Sequence, residues 1–225
     1  IGTDEACEKV FALVEEYLEV LKKRGQWTTY DSFKMEKELL NLCGDLCYQQ
    51  GKKYEAYQWY RRNSYKDEYA VTRQAEMHYE GDGIQKDRAE AYRLYAQLVK
   101  ESRSANAAYQ CGKMCLFGDG VAKDPAKAFY WFSRQRNKRG WFLTISMYEL
   151  GIGVEKNDAE AKKLLQDISI DDFYREQEGW LEECAAHGYA WERLEVSQRT
   201  VDLQRELRRK QEEVRRMEDE RRRKQ

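Results

Sequence analysis

Proline, histidine and long apolar runs are scarce in this sequence, and each scarcity excludes a class of structure. Pro125 is the single proline among 225 residues, so nothing interrupts helices along most of the chain. Only His78 and His187 are present, and neither has a partner at ligand spacing, which argues against zinc sites and histidine-based nucleophiles. No stretch reaches the roughly eighteen apolar residues that a bilayer-spanning helix needs.

An excess of charge of one sign is also lacking. The 40 basic residues nearly balance the 41 acidic ones, so no global field attracts nucleic acid or a membrane, and we expect neither as a partner. The opening Ile1-Gly2-Thr3-Asp4 carries no secretory signal, although a processing boundary there would be consistent with one further upstream. Nothing resembles a disulfide framework, which favours a reducing compartment such as the cytoplasm.

Three short blocks share the pattern Met-x-x-x-Gly-x-Gly-[Ile/Val]-x-Lys-[Asp/Asn]. They occupy residues 77–87, 114–124 and 147–157. Each block leads into a pair of alanines, which are Ala89/Ala91, Ala126/Ala128 and Ala159/Ala161. The first glycines of the blocks are 37 and 33 residues apart, a spacing that indicates repeated helix pairs.

The pattern has a physical explanation as a helix-turn-helix. The first glycine of each block ends a helix in the left-handed conformation, and the second allows close approach to a neighbour. The Ile or Val fills the turn from its apolar side. The predicted N-caps of the second helices are Asp87, Asp124 and Asn157; Pro125 takes the first helical position of its unit. Since neither helix buries its apolar stripe alone, neighbouring units must stack.

This pattern resembles Sel1-like repeats, relatives of the tetratricopeptide repeat with a longer loop. The resemblance is strong over 66–168, and Ala185-Ala186-His187-Gly188 resembles the close of a further unit. Residues 169–182 fit no unit, so we expect an insertion there. Upstream, the family spacing of an ordinary tetratricopeptide unit is met by Gly44, Gly51, Ala56 and Tyr60. The resemblance implies an all-α fold, a right-handed α/α superhelical solenoid.

Four segments follow from this organisation. Residues 1–30 contain an N-terminal capping helix, whose apolar face carries Val10, Val14, Tyr17, Leu18 and Leu21. Residues 31–65 form the tetratricopeptide-like unit, and 66–192 form the Sel1-like repeats with a degenerate last unit. Residues 193–225 form a charged single helix or a coiled-coil-like tail, with a poor heptad pattern of apolar residues but many i, i+4 ion pairs, such as Glu206–Lys210. Glycine and proline, the residues that typically end a helix, do not occur between Arg193 and Gln225.

The cysteines and the Gly-x-Gly turns suggest chemistry at first sight. Cys43/Cys47 and Cys111/Cys115 are i, i+4 pairs on first helices two units apart, so we interpret them as packing residues rather than metal ligands. A link between Cys7 and Cys184 stays open. No Gly-x-Gly continues as a phosphate-binding motif. We expect no cofactor and no metal.

A partner surface follows from the resemblance, which implies that the first helices line a concave face. The central residues of the four first helices are Gly44, Ala75, Gly112 and Ile145. On each helix, the residues expected to face the concave surface lie three positions before the central residue, one position after it and four positions after it. Three before the centres are Asn41, Thr72, Tyr109 and Phe142. One after are Asp45, Glu76, Lys113 and Ser146. Four after are Tyr48, Tyr79, Leu116 and Glu149. Aromatic residues beside polar ones suit a peptide, although we expect some of them to pack against the adjacent unit.

The predicted function is therefore a non-catalytic scaffold or adaptor that binds a protein or peptide on this concave face. The alternative is a structural protein that self-associates through residues 195–225. A hydrolase ranks last, because the chain lacks both a catalytic constellation and the paired cysteines of the hydrolytic relatives that the resemblance includes.

Overall fold

The computed structural model describes residues 3–24, 30–63, 67–135, 137–165, Trp180 and scattered positions between 206 and 222. Within these ranges the chain is helical and carries no strand. The helices are α1 (Thr3–Arg24), α2 (Tyr30–Gln49), α3 (Lys53–Arg62), α4 (Glu68–Glu80), α5 (Arg88–Ser102), α6 (Ala105–Phe117), α7 (Pro125–Ser133), α8 (Lys138–Leu150) and α9 (Asp158–Leu165). None of these helices combines the length and the hydrophobicity that a bilayer-spanning segment needs.

The chain groups into two compact units. One unit comprises the residues up to Met114 together with Gly118–Ala122, and the other comprises Cys115–Phe117 together with the residues from Lys123 onward. In the first unit α2 packs on α3, α3 on α4, and α4 on α5. In the second unit α8 packs on both α7 and α9. Each contact is between helices consecutive in sequence, as in a stack of helix pairs.

The turns confirm the prediction from the repeat pattern. Gly81, Gly118 and Gly151 end α4, α6 and α8 in the left-handed conformation, with φ of 77°, 79° and 67°. The carboxylates of Asp87 and Asp124 accept hydrogen bonds from the backbone N–H groups of Glu90 and Lys127, each at 2.9 Å. The side chain of Asn157 accepts from Glu160 N–H at 3.1 Å. Local residue chemistry therefore sets where these helices begin and end.

The second glycine of each turn lies against the preceding helix pair. A Cβ atom placed on Gly83 would be 2.8 Å from the carbonyl carbon of Lys53, the first residue of α3. A Cβ on Gly120 would be 2.7 Å from the carbonyl oxygen of Arg88, the first residue of α5. Both glycines also have positive φ, so conformation and contact together require glycine here.

Two packed clusters form part of the core of the first unit. Val14 and Leu18 of α1 pack with Leu40 and Cys43 of α2, so a helix expected within residues 1–30 is present and lies on α2. The other cluster contains Cys47, Ala56, Tyr60, Ala70 and Met77, with Ile84 packed against it. Ile84 therefore closes its turn from the apolar side, as the sequence predicts.

Several sequence predictions fall outside the described ranges. These are the insertion at 169–182, apart from Trp180, the unit ending at Gly188, and self-association through 195–225. The side chains of Cys7 and Cys184 also lie outside them. Trp180 is buried and its ring lies 5.8 Å from that of Phe117 and 5.9 Å from that of Phe132. In the tail, Lys210 and Glu206 form the expected i, i+4 ion pair at 3.4 Å.

Candidate functional site

The aspartate between the two glycines of the first turn connects this turn to the preceding helix pair. Asp82 accepts a hydrogen bond from the hydroxyl of Tyr48 at 2.6 Å and one from the ammonium of Lys53 at 2.5 Å. Tyr48 lies in the last turn of α2 and Lys53 begins α3. The Lys53 ammonium, and then the Tyr48 hydroxyl, hold the pKa of Asp82 below its usual range.

The next turn repeats this arrangement with different residues. Asp119 accepts from the hydroxyl of Tyr79 at 2.8 Å and from the guanidinium of Arg88 at 2.6 Å. The Arg88 guanidinium also lies 4.8 Å from the centre of the Tyr79 ring. We call each set of tyrosine, cation and aspartate a junction clamp, because it joins one helix pair to the turn of the next.

The third turn has apolar residues at all three corresponding positions. Leu116 replaces the tyrosine, Pro125 the cation and Ile152 the aspartate. Leu116 is fully buried. An aspartate or tyrosine at only one of these positions would lack its hydrogen-bonding partners, which explains why all three positions are apolar in this turn. This correlated replacement is a signal in the sequence that the repeat pattern alone did not bring out.

We expect Asp82→Asn to lower the free energy of unfolding by about 1–2 kcal/mol near neutral pH, because two hydrogen bonds lose an ionised acceptor. A carboxylate whose pKa is depressed by folding stabilises the protein above its unfolded-state pKa, about 3.9 for aspartate. This contribution is lost as the pH falls below that value through the lower folded-state pKa. Urea unfolding of both proteins from neutral pH to about pH 3 should therefore show a difference that shrinks in acid.

The matched control for this prediction is Glu55→Gln, which changes an exposed carboxylate on α3. It should leave the stability and its acid dependence close to the wild type. A difference between wild type and Asp82→Asn that stays constant over the whole pH range would contradict the depressed pKa.

A cleft of about 320 Å³ opens on the first unit beside these clamps. Side chains from α2, α4, α5 and α6, and one from the turn after α4, line it. They are Tyr48, Arg73, Glu76, Met77, Tyr79, Glu80, Asp82, Tyr95, Gln110 and Lys113. The cleft is thus formed mainly by the first helices of successive pairs.

The wall and floor of the cleft differ in character. The Arg73 guanidinium donates to Glu76 at 2.6 Å and lies 4.6 Å from the centre of the Tyr48 ring. Met77 and Tyr95, at the floor, are almost fully buried. Burial, followed by the hydrogen bond to Asp119, raises the pKa of Tyr79, so its hydroxyl stays protonated and remains a donor at neutral pH.

The structure brings together only part of the partner surface predicted from the sequence. Four of the twelve predicted residues line the cleft, namely Tyr48, Glu76, Tyr79 and Lys113. Thr72 and Tyr109 are half-buried in the same unit, and the Lys113 ammonium lies 5.7 Å from the centre of the Tyr109 ring.

Two further predicted residues are occupied by internal contacts. The Asn41 amide donates to Asp67 at 3.0 Å and accepts from Asn63 at 2.6 Å. The Asp45 carboxylate accepts from the hydroxyls of Tyr60 and Tyr69, each at 2.7 Å. These polar groups stabilise the connection between α2 and its neighbours, which is the packing role expected for part of the set.

The assignment of Leu116, Phe142 and Ser146 to an accessible surface was wrong. All three are buried in the second unit, and the Ser146 hydroxyl donates to the backbone oxygen of Phe142 at 3.0 Å. Glu149, on the same helix, is half-buried. Counting from Ile145 identifies the equivalent positions along α8, but the packing of neighbouring residues around the helix determines which of its faces is accessible.

Several cleft residues were missed from the sequence. Arg73 and Gln110 each lie two residues before the central residue of their helix, Ala75 and Gly112. The inward positions counted from the sequence did not include this one, and including it would have identified both residues. Tyr95 belongs to the second helix of its pair, and an argument restricted to first helices excludes it. Asp82 could have been identified from the sequence, because it lies between the two glycines of its turn.

The cysteines serve as packing residues. Cys43, Cys47, Cys111 and Cys115 are buried, and none of the four is in a disulfide bond. Burial raises the pKa of the Cys43 thiol to about 11, so this thiol stays protonated and unreactive at neutral pH. In the part of the chain that the structure describes, no group of His, Cys, Asp or Glu side chains is placed to hold a metal ion.

Comparison with known families accounts for the repeated turns. The family model of the Sel1 repeat matches residues 69–100, 105–134 and 141–166. The chain carries three Sel1 repeats. The three matches contain the three glycine turns, so the resemblance inferred from the sequence is confirmed.

Solved structures support the same fold. A protective antigen of uropathogenic Escherichia coli with an SLR fold aligns with a TM-score of 0.55 and 20% identity, over 77% of this chain and 39% of its own. A Sel1 repeat protein from Oxalobacter formigenes aligns with a TM-score of 0.51 and 22% identity, over 72% of this chain and 69% of its own. The chain thus spans well under half the length of the E. coli antigen. A search of curated proteins finds no match. The all-α solenoid class predicted from the sequence is confirmed.

Proposed function

We propose that this chain is a non-catalytic interaction scaffold that binds a segment of a partner protein in the cleft of the first unit. Sel1 repeats are generally protein-interaction modules and typically non-enzymatic. The cleft is the observation that carries the proposal, because it is concave, partly aromatic and lined by polar groups that fix orientation. A compact peptide segment fits its volume.

The junction clamps support this role by fixing the walls of the cleft. Tyr48 and Asp82 belong to one clamp, and Tyr79 belongs to the other. All three residues also line the cleft. The contacts that join neighbouring helix pairs therefore hold the binding surface in shape before a partner arrives, which lowers the entropic cost of binding.

Filling the cleft tests the proposal. Peptides would be selected on the intact chain from a random phage-displayed library, and their affinities measured for the variant Gln110→Trp. Gln110 is half-buried in the wall, so an indole there should occupy the space and weaken binding more than about tenfold. Far-UV circular dichroism and the unfolding midpoint report whether the variant is folded.

The matched control is Gln97→Trp, the same exchange on α5 at a half-buried position outside the cleft. It should bind the selected peptides as the wild type does. Peptides that bind wild type and Gln110→Trp equally well would show that the cleft is not the binding site, and the proposal would be abandoned.

A further inference from the structure

Two exposed apolar side chains lie beside the cleft, in the groove between α2 and α4. Leu42 on α2 and Tyr69 on α4 are each 46% exposed. The Tyr69 hydroxyl donates to the Asp45 carboxylate of α2 at 2.7 Å. Leu42 lies one helical turn before Asp45, on the same side of α2. Leu42 and Tyr69 therefore lie next to the same carboxylate, and we call them the apolar pair.

The apolar pair is continuous with the cleft along both helices. On α4, Tyr69 precedes the cleft residue Arg73 by one turn. On α2, Asp45 precedes the cleft residue Tyr48 by one turn. The Arg73 guanidinium lies 4.6 Å from the centre of the Tyr48 ring, so α2 and α4 are in contact again at the cleft. The groove between them thus runs from the apolar pair into the cleft.

The stacking of the repeats does not require apolar residues at these two positions. At the equivalent positions of the next two first helices, α4 and α6, Arg73 stands in place of Leu42 and Asn106 in place of Tyr69. Asn106 is exposed. A single exposed apolar residue needs no explanation. Two of them beside a cleft, at positions that are polar in the neighbouring groove, are explained by a ligand rather than by the fold.

We propose that the partner segment continues from the cleft along the groove between α2 and α4 and packs a large apolar side chain, such as leucine or phenylalanine, against the apolar pair. The residues from Leu42 to Tyr48 rise about 9 Å along α2, which an extended chain spans in about three residues. The partner motif is therefore an apolar residue about three positions from the residue that occupies the cleft. This inference rests on the proposed function, since it specifies the chemistry of the segment that the same site binds.

The test uses the intact chain and the selected peptides whose affinity falls in Gln110→Trp. We expect these peptides to share a large apolar residue at one position. Leu42→Gln should weaken their binding about tenfold and leave the unfolding midpoint near the wild-type value, because this side chain is largely exposed in the free protein. Exchanging the shared apolar residue of the peptide for alanine should remove the difference between wild type and Leu42→Gln, as expected for a direct contact in a double-mutant cycle. A merely structural role for Leu42 would lower the midpoint and leave the cycle without coupling.

The spacing of the motif is measured by an alanine scan of the same peptides. The residue that occupies the cleft is the one whose replacement removes the difference between wild type and Gln110→Trp. We expect it about three positions from the shared apolar residue. A separation of about six positions, as in a helix that rises the same distance, would overturn the extended segment.

Two variants of Tyr69 separate its ring from its hydroxyl. Tyr69→Ala should weaken binding of the same peptides about threefold to tenfold, whereas Tyr69→Phe keeps the ring and should bind within about twofold of the wild type. Equal losses in both variants would assign the effect to the hydroxyl and contradict an apolar contact. The matched control for Leu42→Gln is Leu150→Gln, the same exchange at a partly exposed leucine of α8 in the second unit, and it should bind as the wild type does.

The outcomes separate the two proposals. Cleft-dependent peptides without a shared apolar residue, or with unchanged affinity in Leu42→Gln and Tyr69→Ala, would overturn this inference and leave the scaffold proposal standing. A concentration-dependent dimer of the free chain that Leu42→Gln dissociates would assign the apolar pair to a second copy and would also overturn it. Selected peptides that are all insensitive to Gln110→Trp would overturn both.

Discussion

Gly153→Ala is expected to lower the free energy of unfolding by about 3 kcal/mol or more. Gly153 has a φ of +67°, and an L-residue there costs about 1–2 kcal/mol on conformation alone. Its added Cβ would also fall on the carbonyl group of Pro125 and lie 2.7 Å from the backbone nitrogen of Ala126. Because both neighbours are backbone at the start of α7, they do not move aside as a side chain would, and overpacking adds about 1–3 kcal/mol. Urea unfolding followed by circular dichroism measures the loss.

Gly51→Ala separates the two terms of this cost. Gly51 has a φ of +76°, and a Cβ there would meet nothing within 4 Å. It should therefore lose only the conformational term of about 1–2 kcal/mol. Equal losses at Gly51 and Gly153 would mean that the close approach of the turn to α7 contributes nothing.

Tyr60→Ala is expected to destabilise the first unit by about 3–5 kcal/mol, the range for deleting a buried aromatic side chain. Tyr60 is 0% exposed and packs with Cys47, Ala56 and Met77. Its ring also lies directly on Gly44 of α2. The ring therefore fills the space between α2 and α3, and its removal leaves a cavity. The midpoint and the free energy of unfolding in urea measure the effect.

Two variants divide this effect between the ring and the hydroxyl. Tyr60→Phe keeps the ring and loses one hydrogen bond to Asp45, so it should cost about 0.5–1.5 kcal/mol. Tyr69→Ala removes the other hydroxyl that Asp45 accepts, but Tyr69 is 46% exposed, and its loss should be about 1 kcal/mol. A Tyr69→Ala loss as large as that of Tyr60→Ala would assign the stability to the Asp45 carboxylate rather than to packing.

The sequence predicts the turns well because their causes are local. A glycine at a left-handed helix end and an aspartate at the next N-cap act on atoms within a few residues of themselves. The N-caps Asp87 and Asp124 were therefore found without knowledge of tertiary contacts. The same holds for the left-handed helix ends at Gly81, Gly118 and Gly151.

The cleft was predicted only in part because its residues depend on neighbours distant in sequence. A first-helix register places Tyr79 on the inward face, but it does not show that its hydroxyl binds Asp119, 40 residues later. Nor does it reveal that Phe142 is buried. Tyr95 reaches the cleft from a second helix, so no rule that counts along first helices finds it.

The junction clamps have a consequence for how this chain can be recombined. The tyrosine and the cation of a clamp belong to one repeat, and the aspartate belongs to the next. Excision of residues 81–117, which is one whole repeat by the glycine pattern, would place Tyr79 and Pro125 against Ile152 and leave the tyrosine hydroxyl without its aspartate. A chimera whose crossovers keep all three residues together should tolerate shuffling, so the exchangeable module is the contact between repeats rather than the repeat itself.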